Sequence, residues 1–191
     1  MSTRTSLTRE DWIHAAQHVL VTSGVDAVRV DTLAKELKIT RGSFYYHFKS
    51  RGELLEGILG NWRSRATEDV ILQLRTAHTS PLQQLQRLLE LPSHGQTARD
   101  AAAIELGIRA WARRDDKARQ AIDEVDRYRL NYIEGLLIQA DVTQSEASDR
   151  AYLIYAYQIS LSLLHSEDTA QDRKDRSARM AHILIPEALP A

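Results

Sequence analysis

Residues 40–55 read TRGSFYYHFKSRGELL. Phe44, Tyr45, Tyr46, His47 and Phe48 stand side by side there, and they include both phenylalanines of the chain. On a helix, at about 100° per residue, Phe44 and Phe48 share one face four positions apart. Tyr46 then points nearly opposite, with Tyr45 and His47 on the flanks. One side is apolar; the other offers ring edges, a hydroxyl and an imidazole. Burial of each phenyl ring stabilises by roughly 2–3 kcal/mol, more than a two-turn helix draws from its own hydrogen bonds. The sequence therefore predicts a short helix over about Ser43–Phe48, wedged inward by Phe44 and Phe48, with a polar flank left over for another purpose.

Working outward, Val30, Leu33, Ala34 and Leu37 predict a preceding short helix over Val30–Leu37, and KITRG (38–42) a tight turn. Further upstream, Thr8 followed by Glu10 and Asp11 reads as a helix cap with early acids. Ile13, Ala16, Val19 and Leu20 make one apolar face, and TSG (22–24) closes that helix. VDAVRV (25–30) is the one stretch with a strand-like look. Downstream, Ser50 caps a fourth helix running to about Leu74, with Leu54, Leu55, Ile58, Leu59 and Trp62 on its apolar side. Two short helices joined by a glycine-containing turn are the helix-turn-helix layout. Its second helix fits the major groove of DNA, about 12 Å wide. In that reading Gly42 keeps bulk away from the duplex, and Lys49 and Arg51 straddle phosphates. Tyr46 and His47 meet base edges or thymine methyls.

The rest of the chain is also helical in period. Pro81 opens PLQQLQRLLEL, Pro92 and Gly95 mark a loop, and Ala98–Arg113 forms a helix. Asp115 caps the next, about Asp116–Ala140. Thr143 and Glu146 predict a capping box for a helix through ASDRAYLIYAYQISLSLLH (147–165). The charged run SEDTAQDRKDR (166–176) leads into a last helix ending near Ile185. Leu153, Ile154, Tyr155, Tyr157, Ile159, Leu161, Leu163 and Leu164 cover nearly the full circumference of their helix, so the pattern predicts burial all round. Met180, Ile183, Leu184 and Ile185 supply a partner surface. Across a two-fold axis these would make a four-helix interface; the alternative is a central helix in a monomeric bundle.

Composition narrows the classes. The chain has 191 residues, 43% apolar, with a net charge of −1 and no cysteine. Residues 1–50 hold seven Lys/Arg against five Asp/Glu, and the remainder eighteen against twenty-one. That mild asymmetry permits a DNA-facing front. No apolar run reaches the roughly 18 residues of a membrane span, and MSTRTSLTRED lacks a signal-peptide core. A cytoplasmic location without membrane contact is the expectation. His14 and His18 stand four apart, but no glutamate follows His14 as a metalloprotease site requires. Glu105, Arg109 and Arg113 read as a salt-bridged helix face. With no phosphate loop, no GxSxG and no nucleophile beside a base, we expect no enzyme, no catalytic residue, no metal and no cofactor.

VRVDTLAKELKITRGSFYYHFKSRGELL (28–55) resembles the DNA-binding domain of the tetracycline-repressor (TetR) family of transcriptional regulators. The likeness spans about Thr8–Leu59. It includes Gly24 closing the first helix, Leu33-Ala34 in the second, and Gly42-Ser43-Phe44-Tyr45 with Phe48 in the third. The resemblance implies an all-α chain: a three-helix DNA-binding domain at 1–52, joined by a shared helix to a helical effector-binding and dimerisation domain at 53–191. It implies that Thr40, Arg41, Gly42, Ser43, Tyr45, Tyr46 and His47 contact DNA and that Lys49 binds phosphate. Arg29 stands where the family often has Ser or Thr; arginine cannot cap through an acceptor but can reach a phosphate. Trp62, Trp111, Tyr128 and Tyr132 are the guesses for an effector pocket, weighed against ordinary core aromatics. The implied function is a ligand-responsive, sequence-specific regulator, in its simplest form a repressor released from its operator by a small molecule. Its implied partners are a palindromic duplex operator, a second copy of the chain and an unidentified effector. The other readings are an interaction protein using the same fold without ligand control, and a small helical enzyme.

Overall fold

The computed structural model describes residues 7–77, 79–91, 95–164 and 167–186. Among these residues the chain is all-helical, without a strand. The α-helices are α1 (Arg9–Ser23), α2 (Val30–Glu36), α3 (Arg41–His47), α4 (Arg51–Arg63) and α5 (Asp69–Thr76). They continue as α6 (Pro81–Glu90), α7 (Gly95–Ala112), α8 (Asp116–Gln139), α9 (Gln144–Leu163) and α10 (Ala170–Leu184). Two compact units divide the chain: Met1–Arg65 with Ile104–Ile122, and Ala66–Ala103 with Asp123–Ala191.

In the first unit, α1 starts at a complete capping box. The Thr8 side chain accepts from Asp11 N–H, and the Asp11 carboxylate accepts from Thr8 N–H at 2.7 Å. Gly24, at φ 79°, ends the helix, a backbone that side chains other than glycine's rarely adopt. VDAVRV makes no strand. Val25 and Val28 are both buried and three apart, a spacing that a 3₁₀ turn satisfies and a strand does not; Val25–Ala27 is such a turn. After α2, Lys38 takes a left-handed conformation at φ 55°, and Ile39 N–H closes on Ala34 O at 2.9 Å. α3 begins two residues earlier than expected, so Arg41 and Gly42 form its first turn. Ser50 caps α4 by accepting from Glu53 N–H. That helix was expected to run unbroken to about Leu74; a π-helical turn, Ser64–Glu68, intervenes instead. In α7, a Cβ on Gly107 would lie 3.2 Å from Leu20 Cγ. Gly107 is thus bare because α7 lies hard against α1.

The second unit is built on Leu74, Leu85, Leu89, Ile133, Leu137 and Ile154, with α10 packed on α6 and α9. Ser80 and Gln83 form a capping box with Pro81 at the first position of α6. Ser177 Oγ donates to Leu89 O at 3.0 Å. In the first unit, Asp115 caps α8 by accepting from Ala118 N–H at 2.9 Å. Three expectations change. Thr143 precedes α9 without a side-chain cap, and Glu146 accepts from Arg150 Nε at 2.8 Å. Gly95 opens α7 rather than lying in a loop; Pro92 and His165 lie outside the described residues. Most of the charged run 166–176 belongs to α10 itself, started by a Thr169–Asp172 capping box. Within a single chain α9 is not buried all round, so the central helix of a monomeric bundle is not its place. Ala151 and Ile154 are interior, but Tyr152, Leu153, Leu163 and Leu164 are 68, 54, 62 and 70% exposed, and Ile183 on α10 is 63% exposed.

Candidate nucleic-acid interface

α3 has the two faces its sequence requires. Phe44 and Phe48 are 0 and 1% exposed, and Trp12 of α1 is 0% exposed. Phe44 meets the Trp12 ring edge-on at 5.3 Å and stacks on Phe48 at 5.4 Å, arrangements that add to simple area burial. The Arg9 guanidinium lies 4.6 Å from the Phe48 ring centre. Opposite this wedge, Tyr45 is 57% and Tyr46 86% exposed. A tyrosine ring left that open within a structured helix has no role in the chain's own core, and it carries a hydroxyl suited to base edges.

The remaining predicted residues surround these tyrosines. Thr40 precedes α3 in an extended conformation, and its side chain makes no capping bond. Arg41 Nε lies 2.9 Å from Asp31 Oδ1, an exposed pair that ties the first turn of α3 to α2. Gly42 is exposed, and a Cβ there would meet nothing nearer than Thr40 Oγ1 at 3.8 Å. The protein itself does not require glycine at 42; any steric demand comes from outside. Ser43 and His47 are half-buried, and the His47 ring meets the Tyr46 ring edge-on at 5.1 Å. The Lys49 side chain is exposed while its N–H donates to Glu53 Oε2 at 2.8 Å. Arg29 precedes α2 without capping it; its Nε donates to Asp26 O at 3.0 Å. Thr40, Arg41, Gly42, Tyr45, Tyr46 and Lys49 are therefore exposed on α3 or beside its ends.

Arg51 has partners within the chain. Its Nε donates to Val28 O and its Nη2 to Val25 O, both at 2.6 Å. The guanidinium is engaged with backbone carbonyls. The partners lie 23 and 26 residues back in the chain, so no local pattern announces them. In the same unit, hydrogen bonds from Thr8, first from its backbone, hold the Asp11 carboxyl below its ordinary value. The Lys117 ammonium is raised above its own by a hydrogen bond to Glu56.

The four aromatics suggested for an effector fall in different units. Trp62 and Trp111 are 3 and 5% exposed in the first. The Trp62 indole N–H is buried with no hydrogen-bond partner among the described residues. Tyr128, 46% exposed, and the half-buried Tyr132 lie on α8 in the second. Tyr132 donates to Gln84 Oε1 at 2.7 Å, with Arg75 5.5 Å from its ring centre, and burial pushes its phenol up. An open groove of about 370 Å³ between α1 and α4 is lined by Glu10, Ile13, Glu53, Glu56 and Gly57 among others, and by none of the four aromatics. Among the described residues no group of three or more His, Asp or Glu could hold a metal, and no helix is long and apolar enough to cross a membrane. His14 and His18 are exposed, beside Arg65 and Glu36. Arg109 pairs with Glu105 at 2.8 Å.

Known proteins share this arrangement. The profile for bacterial regulatory proteins of the tetR family matches residues 13–58. The repressor BepR of Brucella suis is 30% identical over 80 residues, 42% of this chain and 38% of that protein. The chain thus matches about two fifths of that relative's length. Among solved structures, a transcriptional regulator from Saccharomonospora viridis, in complex with choline, superposes with a TM-score of 0.72 at 19% identity. That likeness covers 91% of this chain and 95% of the other. FadR of Bacillus subtilis, in complex with stearoyl-CoA, gives 0.70 at 17% identity over 93% and 98% of the two chains. The fold is common to these solved structures, and the profile match lies in the helix-turn-helix. With Phe44 and Phe48 anchoring a short helix inside the matched segment and Tyr45 and Tyr46 left open on it, residues 13–58 form a helix-turn-helix segment of the kind found in bacterial regulatory proteins of the tetR family.

Proposed function

We propose that this protein is a ligand-responsive, sequence-specific regulator of transcription that works in the cytoplasm. It binds a palindromic duplex operator as a homodimer and is released by a small molecule. The observation that carries the reading is the 86% exposure of Tyr46 on a helix whose other face is locked by Phe44 and Phe48. Residues 1–52 read DNA in this proposal. Tyr45, Tyr46 and His47 face the bases, with Thr40, Arg41, Gly42 and Ser43 at the approaching end of α3. Lys49 and Arg29 take phosphates. Such phosphate contacts fix register, while base contacts specify sequence.

Residues 53–191 supply dimerisation and effector binding. Tyr152, Leu153, Leu163, Leu164 and Ile183 are large apolar side chains left exposed on α9 and α10, and a second copy would cover them about a two-fold axis. The operator's symmetry would mirror that axis, with half-sites about one helical turn apart or a multiple of it. Choline and stearoyl-CoA, bound by the two similar structures, differ too much in chemistry to name one effector class. Trp62 and Trp111 in the first unit, and Tyr128 and Tyr132 in the second, are the aromatic candidates. The unpartnered Trp62 indole supports its place among them. Release would follow if the effector binds the DNA-free arrangement more tightly.

The test is selection of duplexes from a randomised pool on the full-length protein, followed by titration at several salt concentrations. A palindromic consensus and a steep loss of affinity with salt are expected. Failure to enrich any sequence removes the reading in favour of an interaction protein.

A further inference from the structure

Arg51 opens α4 two residues after Lys49. Its planar fork spans Val25 O and Val28 O, the two ends of the 3₁₀ turn that leads into α2. The side chains of Val25 and Val28 are buried, so their carbonyls stand at the rim of an apolar interior where a missing donor is costly. Backbone supplies Val25 O with one partner, Val28 N–H at 3.1 Å. Two further arginines converge on the same turn. Arg29 Nε donates to Asp26 O at 3.0 Å, and Arg114 lies 3.1 Å from the Asp26 carboxylate. These are the weaker ties. The Arg114–Asp26 pair is largely solvent-exposed, and such pairs contribute little. The Arg51 contact is charge-assisted and bidentate, a geometry that lysine cannot reproduce.

The turn leads into α2, and Arg51 begins α4. These segments flank α3 in the chain on either side. α3 takes its attitude from both: it packs on α2, and Phe48 to Ser50 join it to α4. We propose that Arg51 is a positioning residue for DNA recognition, fastening the entry of α2 to the start of α4 so that α3 is held at one presentation, and that it does not contact phosphate. The proposal rests on the DNA-binding reading above.

Two variants of the full-length chain test it. Arg51→Lys keeps the charge and Arg51→Met keeps the stem; neither can bridge both carbonyls. The first measurement needs no DNA. Amide hydrogen exchange over residues 28–33 should quicken in both variants while α1 keeps its protection. Unchanged exchange there overturns the clasp. The second measurement titrates a duplex selected on the wild-type protein and a shuffled duplex of equal length. Both variants should lose roughly tenfold per protomer on the selected duplex, the scale of one base contact. Affinity for the shuffled duplex and the salt dependence should stay as in the wild type. Rescue by Arg51→Lys, or a salt slope reduced by about one per protomer in Arg51→Met, would instead mark a phosphate contact and overturn the proposal. A parallel fall on both duplexes would show general loss of fold, which overturns it too. Should the wild-type protein bind no duplex, the regulatory reading and the recognition role fail together, while hydrogen exchange still decides the clasp.

Discussion

Replacing Tyr46 by alanine separates recognition from folding. The side chain is 86% exposed, and its one ring neighbour is His47 at 5.1 Å. Truncation removes no core contact, and alanine is a strong helix former. Stability should change by no more than about 0.5 kcal/mol. For a chain of this size that is a shift of about 1–2 °C in Tm. The DNA side differs. Loss of one base contact costs about 1–3 kcal/mol, and a dimer carries the change in both copies. The complex should lose about 2–6 kcal/mol, a weakening of roughly 30-fold to more than 10⁴-fold. Fluorescence anisotropy at fixed salt, on a selected duplex and on a shuffled one, reads this directly; a thermal melt supplies the control. The shuffled duplex should bind as before. Equal weakening on both duplexes would show that Tyr46 reads no sequence. A fall in Tm beyond about 5 °C would show that the ring carries structure that its exposure denies.

Phe44→Ala should do the reverse. A fully buried phenyl in ring contact with Trp12 and Phe48 should cost about 3–5 kcal/mol in urea denaturation, and a cost below about 1 kcal/mol would contradict the wedge. Leu163→Glu with Ile183→Glu places charge among the exposed apolar residues of α9 and α10, and sedimentation should then report a monomer; a persistent dimer would move the interface elsewhere. Hydrogen bonds from Thr8 and from Thr169 hold Asp11 and Asp172 below the ordinary aspartate value, about 3.9. A depressed carboxyl contributes stability that is fully present above the unfolded value and is lost as pH falls through the folded one. The urea midpoint should therefore drop below about pH 4, and the double variant Asp11→Asn, Asp172→Asn should make that acid limb shallower; an unchanged limb would show that the caps do not titrate with folding.

The parts legible in the sequence were those governed by neighbours. The four-residue spacing of Phe44 and Phe48 determined the inward face of α3 and, with it, the exposure of Tyr46. Thr8 with Asp11, and Asp115 before α8, announced helix starts that the backbone adopts. Thr169 and Asp172 carry the same signal at the same spacing, but it lies inside a charged run that looked like a connection. Thr143 and Glu146 show the converse. A valid local pattern gave no cap there: Thr143 accepts no helix N–H, and the Glu146 carboxylate pairs with Arg150 one turn on. The π turn at Ser64–Glu68 leaves no mark in composition. The backbone contacts of Arg51 are not legible for a physical reason: beside Lys49 it looks like half of a phosphate clamp, and its carbonyl partners lie 23 and 26 residues back in the chain. The exposed stripe on α9 was legible as apolar, but periodicity reports what must be covered and not which chain covers it.

The first unit takes its residues from two separated lengths of chain, Met1–Arg65 and Ile104–Ile122. On the ribosome the segment that reads DNA emerges early, yet Leu20 cannot find the bare spine of Gly107 until much more of the polypeptide has been made. Translation proceeds at about 5–20 residues per second, so for some seconds the nascent head lacks one of its walls. A fragment ending at residue 65 would carry that unfinished surface permanently, and excising the head for separate study would create a sticky half-domain rather than a miniature of the whole.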